Sequence, residues 1–146
     1  MTAKEYLDQL KPLEYKIQHR QEQLTELRER MLSLSSPQAD SDQVQTSHEG
    51  GTVERDVIKC ISMEQRVNRL MTRAITKRGE IIDKIHGLTD ARYIEILYER
   101  YIRHEKFQDI ADSMNYSERQ ILTLHKQAVI AFYDRWKKTL HLSAIW

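Results

Sequence analysis

The sequence predicts an all-α protein: a long N-terminal antiparallel helical hairpin of coiled-coil character, then a small C-terminal helical domain. Three observations carry this. Glycine and proline are scarce, with four and two among 146 residues, while Glu, Gln, Lys, Arg and Leu abound. Two long stretches place apolar residues at alternating gaps of three and four, the spacing of a helix packed along its length. Two capping boxes, Thr2 with Glu5 and Ser117 with Gln120, mark helix starts.

The first box allows a helix to begin at once. Tyr6, Leu10, Leu13, Ile17, Leu24, Leu27, Met31 and Leu34 then form a heptad seam, with Arg20 in its one polar slot. Pro12 interrupts it. An interior proline removes a backbone bond and clashes with the preceding turn, so the expectation is a kink there or a helix proper beginning near Lys11. From Ser35 to Thr52 the pattern stops. That stretch is rich in Ser, Gln, Asp and Gly, has Val44 as its one large apolar residue, and reads as a flexible connection in which His48 is a solvated loop residue.

A second long helix is expected from about Val53 to His86. Val53, Val57, Cys60, Met63, Val67, Leu70, Ala74, Ile81, Ile85 and Leu88 repeat the spacing, with a weak patch around Lys77 and Arg78. Two helices of about 45 Å each, joined by a flexible connection, suit an antiparallel hairpin over 1–88. Formal charge supports the pairing: residues 1–50 carry −3 and residues 51–86 carry +3. Screening makes that a minor term beside apolar burial. Arg66, Arg69, Arg73, Lys77 and Arg78 read as a solvated face.

Gly87 offers a left-handed cap to the second helix, and Thr89 or Asp90 an N-cap to the next. Residues 89–146 form the second expected domain. Ile94, Leu97, Tyr98, Tyr101 and Ile102 mark a supporting helix. Phe107, Ile110, Ala111 and Met114 share one face of the next. Asn115 then tolerates the left-handed conformation of a helix end. After the Ser117 box, Ile121, Leu124, Ala128 and Phe132 restart the apolar stripe, and small Ala111 lets the two helices cross closely. This is a helix-turn-helix pattern, in which the second helix lies in the DNA major groove. The apolar tail, ending at Trp146, is expected to pack on this chain or on a partner.

The run from Phe107 to Phe132 resembles the fourth region of the sigma-70 factors, with its Ser- or Thr-capped recognition helix. Leu97 to Phe132, and the opening MTAKEYL, are also similar to small phage and prophage proteins of Gram-positive bacteria, among them late transcription activators of the ArpU and RinA kind. The resemblance implies a DNA-binding transcription regulator that works in the cytoplasm of a bacterial host and has RNA polymerase as a further partner. Glu118 and Leu122 depart from the sigma pattern, which has basic residues there.

The DNA-reading set expected from this pattern is Ser117, Glu118, Arg119, Gln120, Leu122, Thr123 and Lys126, of which Glu118, Arg119, Leu122, Thr123 and Lys126 point away from the apolar stripe. Arg119 suits a guanine edge or a phosphate, Gln120 and Thr123 a base or backbone, and Lys126 a phosphate. His125, on the same helix, is expected at the surface. Net charge of +1 argues against a general polyanion binder. No HExxH, paired Cys or Gly-rich phosphate loop is present, so no catalytic, metal or cofactor site is expected. Lone Cys60 suits a reducing compartment and a core position. No apolar run approaches the roughly 20 residues that span a bilayer. The heptad seams imply a homodimer. Two other readings share this architecture: a small-terminase-like DNA-packaging protein, and a protein-interaction module that does not bind DNA.

Overall fold

The computed structural model describes residues 1–35 and 49–146, and every regular element among them is helical. In chain order these are α1 (Ala3–Leu7), α2 (Leu10–Ser35), α3 (Glu49–His86), α4 (Ala91–Leu97), a π-helical turn (Tyr98–Ile102), α5 (Phe107–Met114) and α6 (Glu118–Trp136). Of the connection expected over 35–52, Ser35 and residues 49–52 are helical, and residues 36–48, with Val44 and His48, lie outside the described residues. No helix of the described residues is long and apolar enough to cross a membrane.

The chain divides into two compact units, Met1–Glu14 with Arg73–Trp146, and Tyr15–Thr72. The sequence boundary at Leu88 falls elsewhere, and the reason is the core. Tyr6, Leu7 and Leu10 at one end of the chain, and Ile81 and Ile85 at the end of α3, are buried in one cluster with Ile96, Leu97, Ile110, Ile121, Val129 and Phe132. The Tyr6 ring lies 5.9 Å from that of Phe132. A domain confined to residues 89–146 would be small enough to be marginal alone, and these added turns enlarge its core.

Within this first unit, α1 begins at the Thr2–Glu5 capping box, where both reciprocal hydrogen bonds form. The chain breaks helix at Asp8 and restarts at Leu10, so Pro12 sits in the first turn of α2, where its missing N–H costs nothing. The tail packs on this chain. Ala144 O accepts from Ala3 N at 2.8 Å and Ile145 O from Lys4 N at 3.1 Å, which satisfies two orphan amides of α1. Leu142 is buried, whereas Trp146 stays half exposed with its ring 6.1 Å from that of His125.

Gly87 departs from expectation. No glycine among the described residues has positive φ, so it is not a left-handed cap. Its role is spatial: a Cβ there would stand 2.4 Å from Cζ2 of Trp136. The Trp136 indole N–H donates to Lys84 O at 2.9 Å, and the Lys84 ammonium stands 4.3 Å from the ring centroid. The next helix starts on Asp90, whose carboxylate accepts from Arg92 N at 2.9 Å. The π turn then widens the helix by about a residue, which lets adjacent Tyr101 and Ile102 both enter the core.

His125 is also corrected. It is 7% exposed, and its Nε2 lies 2.8 Å from the Tyr101 hydroxyl. The Phe107 ring meets it edge-on at 4.9 Å, and the Arg100 guanidinium covers the other ring of that pair, 4.0 Å from the Phe107 centroid. Burial, then the Arg100 and Lys4 charges, lower the His125 pKa to about 4. The side chain is a neutral core group. Helical spacing puts it on the edge of the stripe; the Tyr101 hydroxyl is what admits it.

The second unit pairs the segments 15–35 of α2 and 49–72 of α3. Met31 Sδ meets Cys60 Sγ at 3.3 Å, Arg28 pairs with Glu64, and Gln21 Nε2 reaches Met71 Sδ at 3.8 Å. Numbers rising on one helix as they fall on the other make the pairing antiparallel. Its core is thin: Leu24, Leu27 and Cys60, flanked by Met31 and Met63. Val53 and Val57, expected in the seam, are 50% and 40% exposed. They lie to one side of the core row, with Ile61 on the same side, because strict helical spacing rotates away from a straight seam.

These contacts set stability in two testable ways. Gly87→Ala should destabilise by about 1–3 kcal/mol through overpacking against Trp136, read as a lower urea midpoint with unchanged slope. His125 titrates near 6.5 unfolded and about 4 folded, so its contribution is complete above pH 6.5 and is lost as pH falls toward 4. The loss over that window is about 3 kcal/mol. Unfolding midpoints between pH 7 and 5 should fall more steeply in the parent than in His125→Gln, and parallel slopes would disprove the assignment.

Candidate nucleic-acid interface

The turn between α5 and α6 is built by local chemistry. Asn115 adopts φ 58, ψ 40, the left-handed cap expected from sequence, and the Tyr116 amide donates back to Ala111 O at 3.0 Å. Ser117 then starts α6: its hydroxyl accepts from Gln120 N at 3.2 Å, and Gln120 Oε1 accepts from Ser117 N at 2.9 Å. Ala111 is buried where α5 meets α6. Ile121, Leu124, Ala128, Val129 and Phe132 fix the inner face of α6, and so fix which residues face outward.

All seven residues expected to read DNA are solvent-exposed. Ser117, Arg119, Gln120 and Thr123 line one shallow groove, together with Arg92 and Tyr116. Glu118, Leu122 and Lys126 lie outside that groove along α6. Arg92 and Tyr116 are additions that the sequence pattern does not indicate. Arg92 comes from α4, held by Asp90 at 3.0 Å, and nothing in the spacing of the sequence links it to Ser117. The hydrogen bonds from Arg92 hold the Asp90 carboxyl below its usual range.

Hydrogen bonds already made decide what each side chain has left to offer. The capping box uses Gln120 Oε1, leaving the amide NH₂ as donor to an acceptor edge or phosphate. Ser117 Oγ accepts in the box and keeps its O–H to donate. Thr123 donates to Arg119 O at 3.1 Å, so it can only accept from a ligand. Arg119 and Lys126 make no ion pair among the described residues, whereas Lys137 is tied to Asp134 at 2.9 Å. Glu118, in the first turn, complements the helix dipole and accepts hydrogen bonds such as that of a cytosine amino group. Leu122 is an exposed apolar contact of the kind a thymine methyl takes.

Among the described residues no group of three or more His, Cys, Asp and Glu could hold a metal ion. Cys60 is a buried free thiol in the second unit.

No curated protein and no solved structure matches the chain. Residues 33–132 match the family described as "Protein of unknown function (DUF1492)", a span that runs from the end of α2 through α5 and into α6 as far as Phe132. The match covers more than half of the chain, and the protein therefore belongs to the DUF1492 family.

Proposed function

We propose that the protein is a DNA-binding transcription regulator of phage or prophage type that reads duplex DNA with the first turns of α6. The observation that carries this reading is the two-sidedness of α6. Its inner face is buried, and Ser117, Glu118, Arg119, Gln120, Leu122, Thr123 and Lys126 stand exposed on the outer one. The left-handed Asn115 and the Ser117 box support it, since they set the tight turn a reading helix needs. So does the likeness of this run to the fourth region of the sigma-70 factors. Arg119 and Lys126 supply charge, Gln120 and Ser117 donors, and Thr123 and Glu118 acceptors.

The N-terminal helices give the regulator its protein contacts, with itself or with RNA polymerase. Val53, Val57 and Ile61 form an exposed stripe at helical spacing on α3, which favours self-association over an isolated hairpin. A dimer presents two reading helices to a repeated site. A second reading, a module that contacts protein through α6, draws on Leu122 and Ile130, both exposed on its outer side. A DNA-packaging role in the manner of a small terminase would use the same parts.

Arg119→Ala with Lys126→Ala should weaken duplex binding and flatten its salt dependence. The slope of log affinity against log salt should fall by about 2, at about 0.9 for each phosphate no longer neutralised. Helical content by circular dichroism stays constant, because both side chains are exposed. Equal affinity and slope in parent and variant would remove α6 as the reader. Separately, Val57→Glu with Ile61→Glu should convert a dimer to folded monomers in light scattering at micromolar concentration. A parent that is already monomeric would end the self-association reading.

A further inference from the structure

The second unit carries a cationic groove that no role above uses. Arg20 and Arg30 of α2 line one side and Arg55, Lys59 and Arg66 of α3 the other, with Glu26 the one carboxylate among its lining residues. All five cations are exposed. Among the described residues none of the five makes an ion pair; Arg20 hydrogen-bonds Gln23, and Arg28, outside this groove, is the α2 cation paired with Glu64 of α3. The apolar residues of the lining are buried Leu27, half-buried Met63 and Ile58 at 61% exposure, with Gln23 and Ser62 as its uncharged polar ones.

Five cations against one carboxylate leave the groove with an excess of positive charge, which an anionic partner offsets. Each row runs along about 15 Å of helix, close to three helical turns. Two rows of cations in a groove that also holds apolar residues are complementary to a helix with an apolar stripe and carboxylates on both flanks. A nucleic-acid backbone satisfies the cations and leaves Ile58 facing phosphate and water. The apolar part of the lining therefore selects the protein partner over the polyanion.

We propose that this groove docks an amphipathic helix of a partner protein, its apolar stripe on Leu27, Ile58 and Met63 and its acidic flanks on the two rows of cations. This deepens the part of the proposed function that gives the N-terminal helices a protein contact, and it does not depend on DNA reading by α6.

The test uses the full chain and three fluorescent probes: a synthetic helical peptide with a leucine stripe and glutamate flanks, the same peptide with lysine flanks, and a short DNA duplex. The glutamate peptide should bind and the lysine peptide should not. Arg55→Gln, Lys59→Gln and Arg66→Gln together should weaken the glutamate peptide at least about tenfold and flatten its salt dependence. Ile58→Ser should weaken it with the salt dependence retained. Arg119→Ala with Lys126→Ala should leave peptide binding unchanged, which separates this proposal from the reading assigned to α6. The proposal is overturned by a glutamate peptide that does not bind, or that binds the triple variant as well as the parent. It is equally overturned if the triple variant loses duplex binding in place of peptide binding, or if its mass in light scattering falls, which would assign the groove to DNA or to a second copy.

Discussion

Burial around Phe132 is the constraint on which the first unit depends. A Phe side chain taken fully out of water contributes about 1.5–3 kcal/mol, and this one has no exposed surface. The helices α4, α5 and α6 do not enclose it alone. Tyr6 and Leu7 from the start of the chain and Ile81 and Ile85 from the end of α3 complete the enclosure. The outer face of α6 is a by-product of that packing: once Ile121, Leu124, Ala128 and Phe132 are committed inward, Arg119, Leu122, Thr123 and Lys126 have only solvent to face.

The same core contains one polar group, and its cost shapes its surroundings. His125 stays neutral because burial and the nearby Arg100 oppose a second proton, and Tyr101 supplies the hydrogen bond that a buried ring nitrogen requires. Such a pair is a specificity device as well as a contact. An apolar substitution at either position leaves the other unsatisfied, so the two side chains fix the register of the π turn against α6 more tightly than shape alone.

Much of the fold is legible in the sequence because it is set within a few residues. The Thr2 and Ser117 boxes, the left-handed Asn115 and the inward stripe of α6 each follow from local spacing, and each forms. What is not legible depends on residues far apart in the chain. Gly87 has the sequence context of a conformational cap, but its lack of a side chain serves Trp136, which lies 49 positions on. His125 has the sequence context of a surface residue because its partner Tyr101 enters from the π turn, which no periodicity announces. Val53 and Val57 fit the seam by spacing and turn out of it over successive turns. At the candidate interface, residue types and exposure are legible; Arg92, arriving from α4, and the hydrogen bonds that restrict Gln120 and Thr123 are not.

The pairing of the tail with α1 bears on the order of events as the chain is made. The acceptors for the Ala3 and Lys4 amides are carbonyls of Ala144 and Ile145, and the amide of Ser143 reaches Met1 O at 3.0 Å. Domains fold as they emerge from the ribosome, N-terminal parts first. The segment 15–72 is one continuous stretch of chain, whereas the first unit is discontinuous and waits for residues 73–146 to join residues 1–14. Closing so long a loop costs only slightly more than closing a shorter one, since the entropy grows with the logarithm of length. The delay is therefore one of timing more than of stability, and until it ends α1 is a short helix with two amides left to water beside an unfinished core.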